Sequence, residues 1–317
     1  MKLVLPIYAL TILIAARGFA LDAHAQNKST RSNNAAAGKT LVTVNGTPLT
    51  AASVELWMIM HAIPPSQRGA LQEQAAQRLV EEELVAQFLR SRKVDVPETE
   101  VDKMIRRWEM LVAKEKLDPA EMRMRLGISD SAFRETLSLM PRWEAYLQEI
   151  VTRDKLNEFF EAHRQEFDGT RVRVSQILKK LPPDAAEKEV DAANAELAKL
   201  KADIESGSIT FAEAAMQHSD APSKSKGGDV GSFTFRGAMA KEITQTAFRL
   251  QPGELSEPFR SPFGMHIIVV NDRQPGQLSL EDVRAQVLEE LGQNLWSETV
   301  ARLQEDADIK WTAKPGK

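Results

Sequence analysis

The chain has 317 residues, 43% hydrophobic and 27% charged, with a net charge of −4. That length suits about two domains, and the composition excludes wholesale disorder. With no basic tract to neutralise phosphates, nucleic acid is not expected as the main partner. The absence of cysteine excludes disulfides, thiolate metal sites and a lipid-modified cysteine.

Residues 1–25 read as a signal peptide. Lys2 gives the positive start, Leu3 to Ala16 the apolar run, and Ala23-His24-Ala25 a small-x-small cleavage site before Gln26. Losing Lys2, Arg17 and Asp22 takes the net charge from −4 to −5. The expectation is a soluble periplasmic chain without a stable membrane anchor; the late Arg17 leaves an uncleaved anchor as the alternative. Residues 26–39, polar and aperiodic, read as a flexible leader.

Thr40 to Gly46 predicts a strand that ends in the Asn45-Gly46 turn, with helix following at once. From Ala51 to Phe167 only helices are expected. Ala76, Val80, Leu84 and Phe88 recur every fourth residue beside Leu79, a buried stripe. Pro97 introduces a helix past Val101, Met104 and Ile105; one from about Asp130 carries Phe133, Leu137 and Trp143; another carries Leu156, Phe159 and Phe160. Trp57, Trp108 and Trp143 are read as core, the alternative being a client-binding role.

After Asp168-Gly169 a second domain begins. Arg171 to Lys180 alternates, placing Val172, Val174, Gln176 and Leu178 on one face of a strand. A helix over 184–205 stops at Gly207, and Thr210 to Glu213 form a capping box. Gly227-Gly228-Asp229-Val230-Gly231 demands tight turning, and Gly264 to Val270 reads as a buried strand headed by His266. Ser279 to Asp282 opens a last helix with Val283, Val287, Leu291 and Leu295, followed by a short strand at Asp308 to Trp311. Since the strands near Val42 and Ile309 have no neighbour of their own, they are expected to pair with each other.

Gly-Gly-Asp-Val-Gly-x-Phe, a Met after a loop, Ala247 to Ser256 and Phe263-Gly264-Met265-His266-Ile267-Ile268, in that order, resemble the parvulin family of peptidyl-prolyl cis-trans isomerases. Val-Asn-Gly followed by helices, and Leu126-Gly127-Ile128-Ser129, extend the resemblance to periplasmic parvulin chaperones. The resemblance implies an α+β chain: a helical chaperone domain (40–168), a parvulin-like isomerase domain with a small antiparallel sheet (169–275), and a C-terminal helix and strand (276–317) returning to the first. It implies a pocket lined by Val230, Met239, Ile243 and Phe263, with Phe248 behind. It makes His266 the second histidine of the family's site.

Two positions depart from the pattern: Gln176 stands where the family usually has histidine, and Ala221 where it often has Cys or Asp, with Asp220 one residue early. His266, Gln176 and Asp220 are therefore the catalytic candidates, in a site whose catalysis is expected to be weakened. Taken alone, a histidine heading a buried strand is more often a structural hydrogen-bonding group than a base, and a Met or Phe is equally core. With five histidines, no cysteine and no His-Glu-x-x-His, neither metal nor cofactor is expected. The function expected is isomerase and chaperone for exported, partly folded, proline-containing polypeptides. The alternative is a non-catalytic client-binding module, dedicated in one version to a single envelope or secretion pathway.

Overall fold

The computed structural model describes residues 38–312, so the expected signal peptide and nearly all of the leader lie outside the described residues. The fold is α+β, with two small antiparallel sheets among helices. By contact the described chain divides into two compact units, residues 154–289 and residues 38–153 together with 290–312.

The second of these units opens with β1 (Thr40–Val44) and β2 (Thr47–Thr50), an antiparallel hairpin. Asn45 (φ 50°) and Gly46 (φ 84°) both take positive φ, which the tight two-residue hairpin turn requires. Helix was expected directly after this turn, and a strand intervenes. The short segment Thr-Pro-Leu-Thr is tolerated because β2 is an edge strand, where Pro48 has no ladder bond to supply. Thr50 then caps α1 (Ala51–Met60), its Oγ1 accepting from the Ser53 N–H at 3.2 Å.

Helices α2 (Pro65–Ser91), α3 (Glu98–Lys114), α4 (Pro119–Leu126), α5 (Asp130–Leu137) and α6 (Leu139–Ile150) follow. The single helix read from Asp130 through Trp143 is thus two. Pro141 has no N–H for the preceding turn, and the Ser138 hydroxyl donates to the Glu135 carbonyl at 2.7 Å, turning the chain between them. Trp108 and Trp143 are 0% and 1% exposed, each inside an apolar cluster, and Trp57 donates its indole N–H to Glu82 at 2.6 Å. The last helix spans Leu280–Glu305 and brings Trp296 edge-on to Trp143, centroids 5.1 Å apart.

The pairing expected of the first and last strands is present. A final strand, Ile309–Trp311, lies antiparallel to β1, with Val42 opposite Trp311 and Val44 opposite Ile309. Asn45 fastens it twice: its N–H donates to the Asp308 carbonyl and its Oδ1 accepts from the Asp308 N–H, both at 2.8 Å.

The other unit contains α7 (Arg153–Ala162), α8 (Arg164–Phe167), β3 (Arg171–Lys180), α9 (Glu187–Glu205), α10 (Phe211–His218), β4 (Asp229–Thr234), α11 (Lys241–Arg249), β5 (Phe259–Ser261) and β6 (Gly264–Gln274), and the first part of α12 (Leu280–Glu305). Its sheet order is β4-β3-β6-β5. By contact it begins at Asp154, ahead of residue 169, because α8 belongs to it: the Arg236 guanidinium lies 4.4 Å from the Phe167 ring centroid, and Asp168 accepts from the Thr170 N–H at 2.8 Å. One face of the sheet packs Ile177, Met265 and Ile267 beneath α9 and α10; the other carries Val172, Val174, Ile268 and Val270 beneath α11.

A chain ending at Ala307 loses the strand on β1 and both Asn45 bonds. Its helical unit should melt at least about 5 °C lower, with the transition of residues 154–289 unmoved, as read by calorimetry; an unmoved helical transition would show that the terminal strand carries no stability.

Candidate active site

His266 is the third residue of β6 and is 1% exposed. Side-chain alternation puts it on the α11 face of the sheet together with Gln176, whose own strand is paired antiparallel to β6 with Leu178 opposite His266 and Gln176 opposite Ile268. The imidazole is held at both nitrogens. Nδ1 lies 3.2 Å from Gln176 Oε1 and Nε2 lies 2.6 Å from Ser261 Oγ. With the amide oxygen accepting, Nδ1 carries the proton, and the Ser261 hydroxyl donates to Nε2. Ser261 Oγ in turn accepts from the Phe263 N–H at 3.1 Å, and the Phe259 ring stacks on the imidazole at 5.5 Å and 17°.

Burial, reinforced by the nearby Arg260 charge, lowers the pKa of His266 to about 4. The ring is therefore neutral at any physiological pH, as the array of one donor and one acceptor requires.

Two glycines make the arrangement possible. A Cβ on Gly264, at φ +142°, would stand 2.0 Å from the Lys179 carbonyl oxygen. One on Gly228, at φ +86°, would stand 2.6 Å from the Gln176 carbonyl oxygen, against which the chain packs while the Gln176 N–H donates to the Gly228 carbonyl at 2.9 Å.

The apolar candidates converge for the most part. Val230, Met239 and Phe248 pack around buried Ile243 over the Val172 and Val174 strand face. Phe263 is elsewhere: it occupies the turn between β5 and β6 and is 60% exposed, so it can line only a rim. Asp220 makes no bond to His266. Its N–H donates to the Leu178 carbonyl at 2.7 Å and its carboxylate accepts from the Lys180 N–H at 3.0 Å, extending the edge of β3 beyond the end of β4. Ala221 is buried, at 4% exposure.

Sequence reasoning did not single out Ser261 or Phe259, the groups that bond to and stack on His266, nor Phe235, which meets Phe248 edge-on at 5.2 Å. The available signal was the alternation Phe259-Arg260-Ser261, too short to read as a strand. Among the described residues no group of three His, Cys, Asp or Glu could hold a metal ion, and no helix is long and apolar enough to cross a membrane.

The pKa of His266 fixes a pH dependence. An unfolded histidine takes up its proton near pH 6.5, whereas His266 does so only near 4. Its contribution to stability is therefore complete above about pH 6.5 and lost as the pH falls from 6.5 towards 4. In melts of wild type and His266→Gln over that range, the variant should lose stability less steeply on acidification; parallel curves would mean that the imidazole titrates normally in the fold.

The family described as Rotamase, PPIC-type PPIASE domain, matches residues 177–272. The chain is 28% identical over 228 residues to the chaperone SurA of Methylobacillus flagellatus, covering 69% of this chain and 51% of the relative. It is 29% identical over 210 residues to the foldase protein PrsA of Oceanobacillus iheyensis, covering 63% and 69%. To the foldase protein PrsA 1 of Bacillus cereus it is 32% identical over 168 residues, covering 53% and 51%. The chain thus spans about half the length of the SurA and PrsA 1 relatives that it matches. Residues 177–272 thus match the PPIC-type rotamase domain, in a chain that is similar over a longer stretch to the SurA and PrsA chaperones.

Proposed function

We propose that the chain is a periplasmic folding factor whose sheet unit accelerates cis-trans rotation at X-Pro bonds of exported, partly folded polypeptides while the helical unit holds those clients. The observation that carries this reading is the neutral, buried His266 bonded to Gln176 and Ser261, on the same sheet face as the apolar group of Val230, Met239, Ile243 and Phe248, inside a stretch that matches the rotamase family. Relatives named chaperone and foldase support the client-holding half. Export rests on the Lys2 to Ala25 pattern of the sequence.

Rotation about a prolyl amide is opposed by a barrier of about 18–20 kcal/mol, set by the loss of C–N double-bond character. Neither a nucleophile nor a metal is needed. An apolar pocket that takes the pyrrolidine ring strips water from the amide, which disfavours its polar planar form relative to the twisted one. A neutral imidazole held from both sides keeps the polar floor of the site fixed without placing a charge beside that pocket.

One set of observations favours a second reading, in which the domain grips chains without rotating them. Gln176 replaces a histidine, Ala221 has no polar side chain, and the Asp220 carboxylate is occupied at the Lys180 N–H. A protease-free isomerisation assay on an X-Pro peptide separates the two. The wild type should exceed the uncatalysed rate. Met239→Ala, which removes about 1.5–3 kcal/mol of apolar contact, should lower kcat/KM roughly ten- to a hundredfold, and Gln176→His should raise it. Peptide binding with no rate above background would instead establish the binding module.

A further inference from the structure

We infer that Arg273 is the positioning residue of the proline pocket, acting through the C-terminal end of α11; the inference rests on the reading of residues 177–272 as a prolyl-binding site. Arg273 stands on β6 opposite Val172, outside the family's sequence pattern as read above and apart from the His266 array. Its Nη2 donates to three carbonyl oxygens at the end of α11: Ala247 at 3.2 Å, Phe248 at 3.2 Å and Leu250 at 2.5 Å. Its Nη1 donates to Gln165 on α8, and its guanidinium carbon lies 5.9 Å from the Phe248 ring centroid.

A helix leaves its last carbonyls without intrahelical partners, and a cation at that end also complements the helix dipole. At the other end of α11 the capping residue is Ala240, which offers no side-chain bond. The helix is therefore seated by buried Ile243, Thr244 and Ala247 along its length and by one guanidinium at its end. That helix supplies Ile243 and Phe248 to the apolar group, and Phe248 is held between Arg273 and the edge of Phe235. None of the bonds of Arg273 goes to His266, Gln176 or Ser261. Its removal should loosen the pocket wall and leave the polar floor intact, so that binding suffers and the chemistry of the bound peptide does not. Lysine cannot take its place: one ammonium lacks the planar fork that serves the α11 carbonyls and Gln165 together.

The test uses the full chain and one X-Pro peptide, with affinity measured by fluorescence titration and turnover by the isomerisation assay, below the melting temperature of every variant. Arg273→Met should raise Kd and KM about tenfold while kcat changes less than threefold and the pH profile of turnover is unmoved. Arg273→Lys, which keeps the charge and a single donor nitrogen without the fork, should recover only part of the loss; it also serves as the readout should Arg273→Met fail to fold, with at least a threefold rise in Kd expected. An affinity within twofold of wild type in either variant, whatever its melting temperature, overturns the inference and leaves Arg273 a stability element. A wild type that binds peptide without turning it over defeats the isomerase reading while the affinities still test Arg273; a wild type that does neither overturns both.

Discussion

The register between β3 and β6 is the constraint on which the site depends. Gln176 and His266 are diagonal neighbours across that pair, close enough for a long side chain to reach the imidazole, because Leu178 faces His266 and Gln176 faces Ile268. A slip of one residue would turn His266 towards α9 and α10, where a polar ring would meet an apolar cluster. Close approaches at both ends of the site guard the register: Gly264 against Lys179, and Gly228 against Gln176, each with no room for a Cβ. The glycine-rich stretch is in this sense part of the candidate site's wall.

Electrostatics and desolvation then act in one direction. The same burial that keeps His266 uncharged would, in the proposed mechanism, also provide the dry surface on which an amide loses its hydration. A protonated imidazole there would draw water, and its Nε2 could no longer accept from the Ser261 hydroxyl. Stacked Phe259 covers one side of the ring, while Gln176 and Ser261 engage its two nitrogens.

Much of this was legible in the residues. The period-two pattern of Val172, Val174, Gln176 and Leu178 gave the correct face, and two strands for which the sequence showed no local partner gave the closure of β1 against the terminal strand, although β1 also pairs locally with β2. The capping box at Thr210 is present, its Oγ1 accepting from the Glu213 N–H at 3.2 Å. What escaped was short or non-local. β2 and β5 have four and three residues, below the length at which alternation can be distinguished from chance. Asp220 was attractive for its place beside the family's position, yet adjacency in sequence says nothing of where a carboxylate bonds, and it bonds to a strand edge. The hold of Arg273 on α11 is a contact across more than twenty residues that no local pattern encodes.

The central claim is that a neutral histidine, held between an amide and a hydroxyl, floors a working prolyl pocket. Magnetisation-exchange NMR on an X-Pro peptide with the full chain, at pH 5.5 and at pH 7.5, tests it most directly. The account predicts cis-trans exchange faster than the uncatalysed rate and within about twofold at the two pH values, since His266 remains uncharged at both. Exchange at the uncatalysed rate, or a several-fold fall at pH 5.5 that vanishes in His266→Gln, would contradict it.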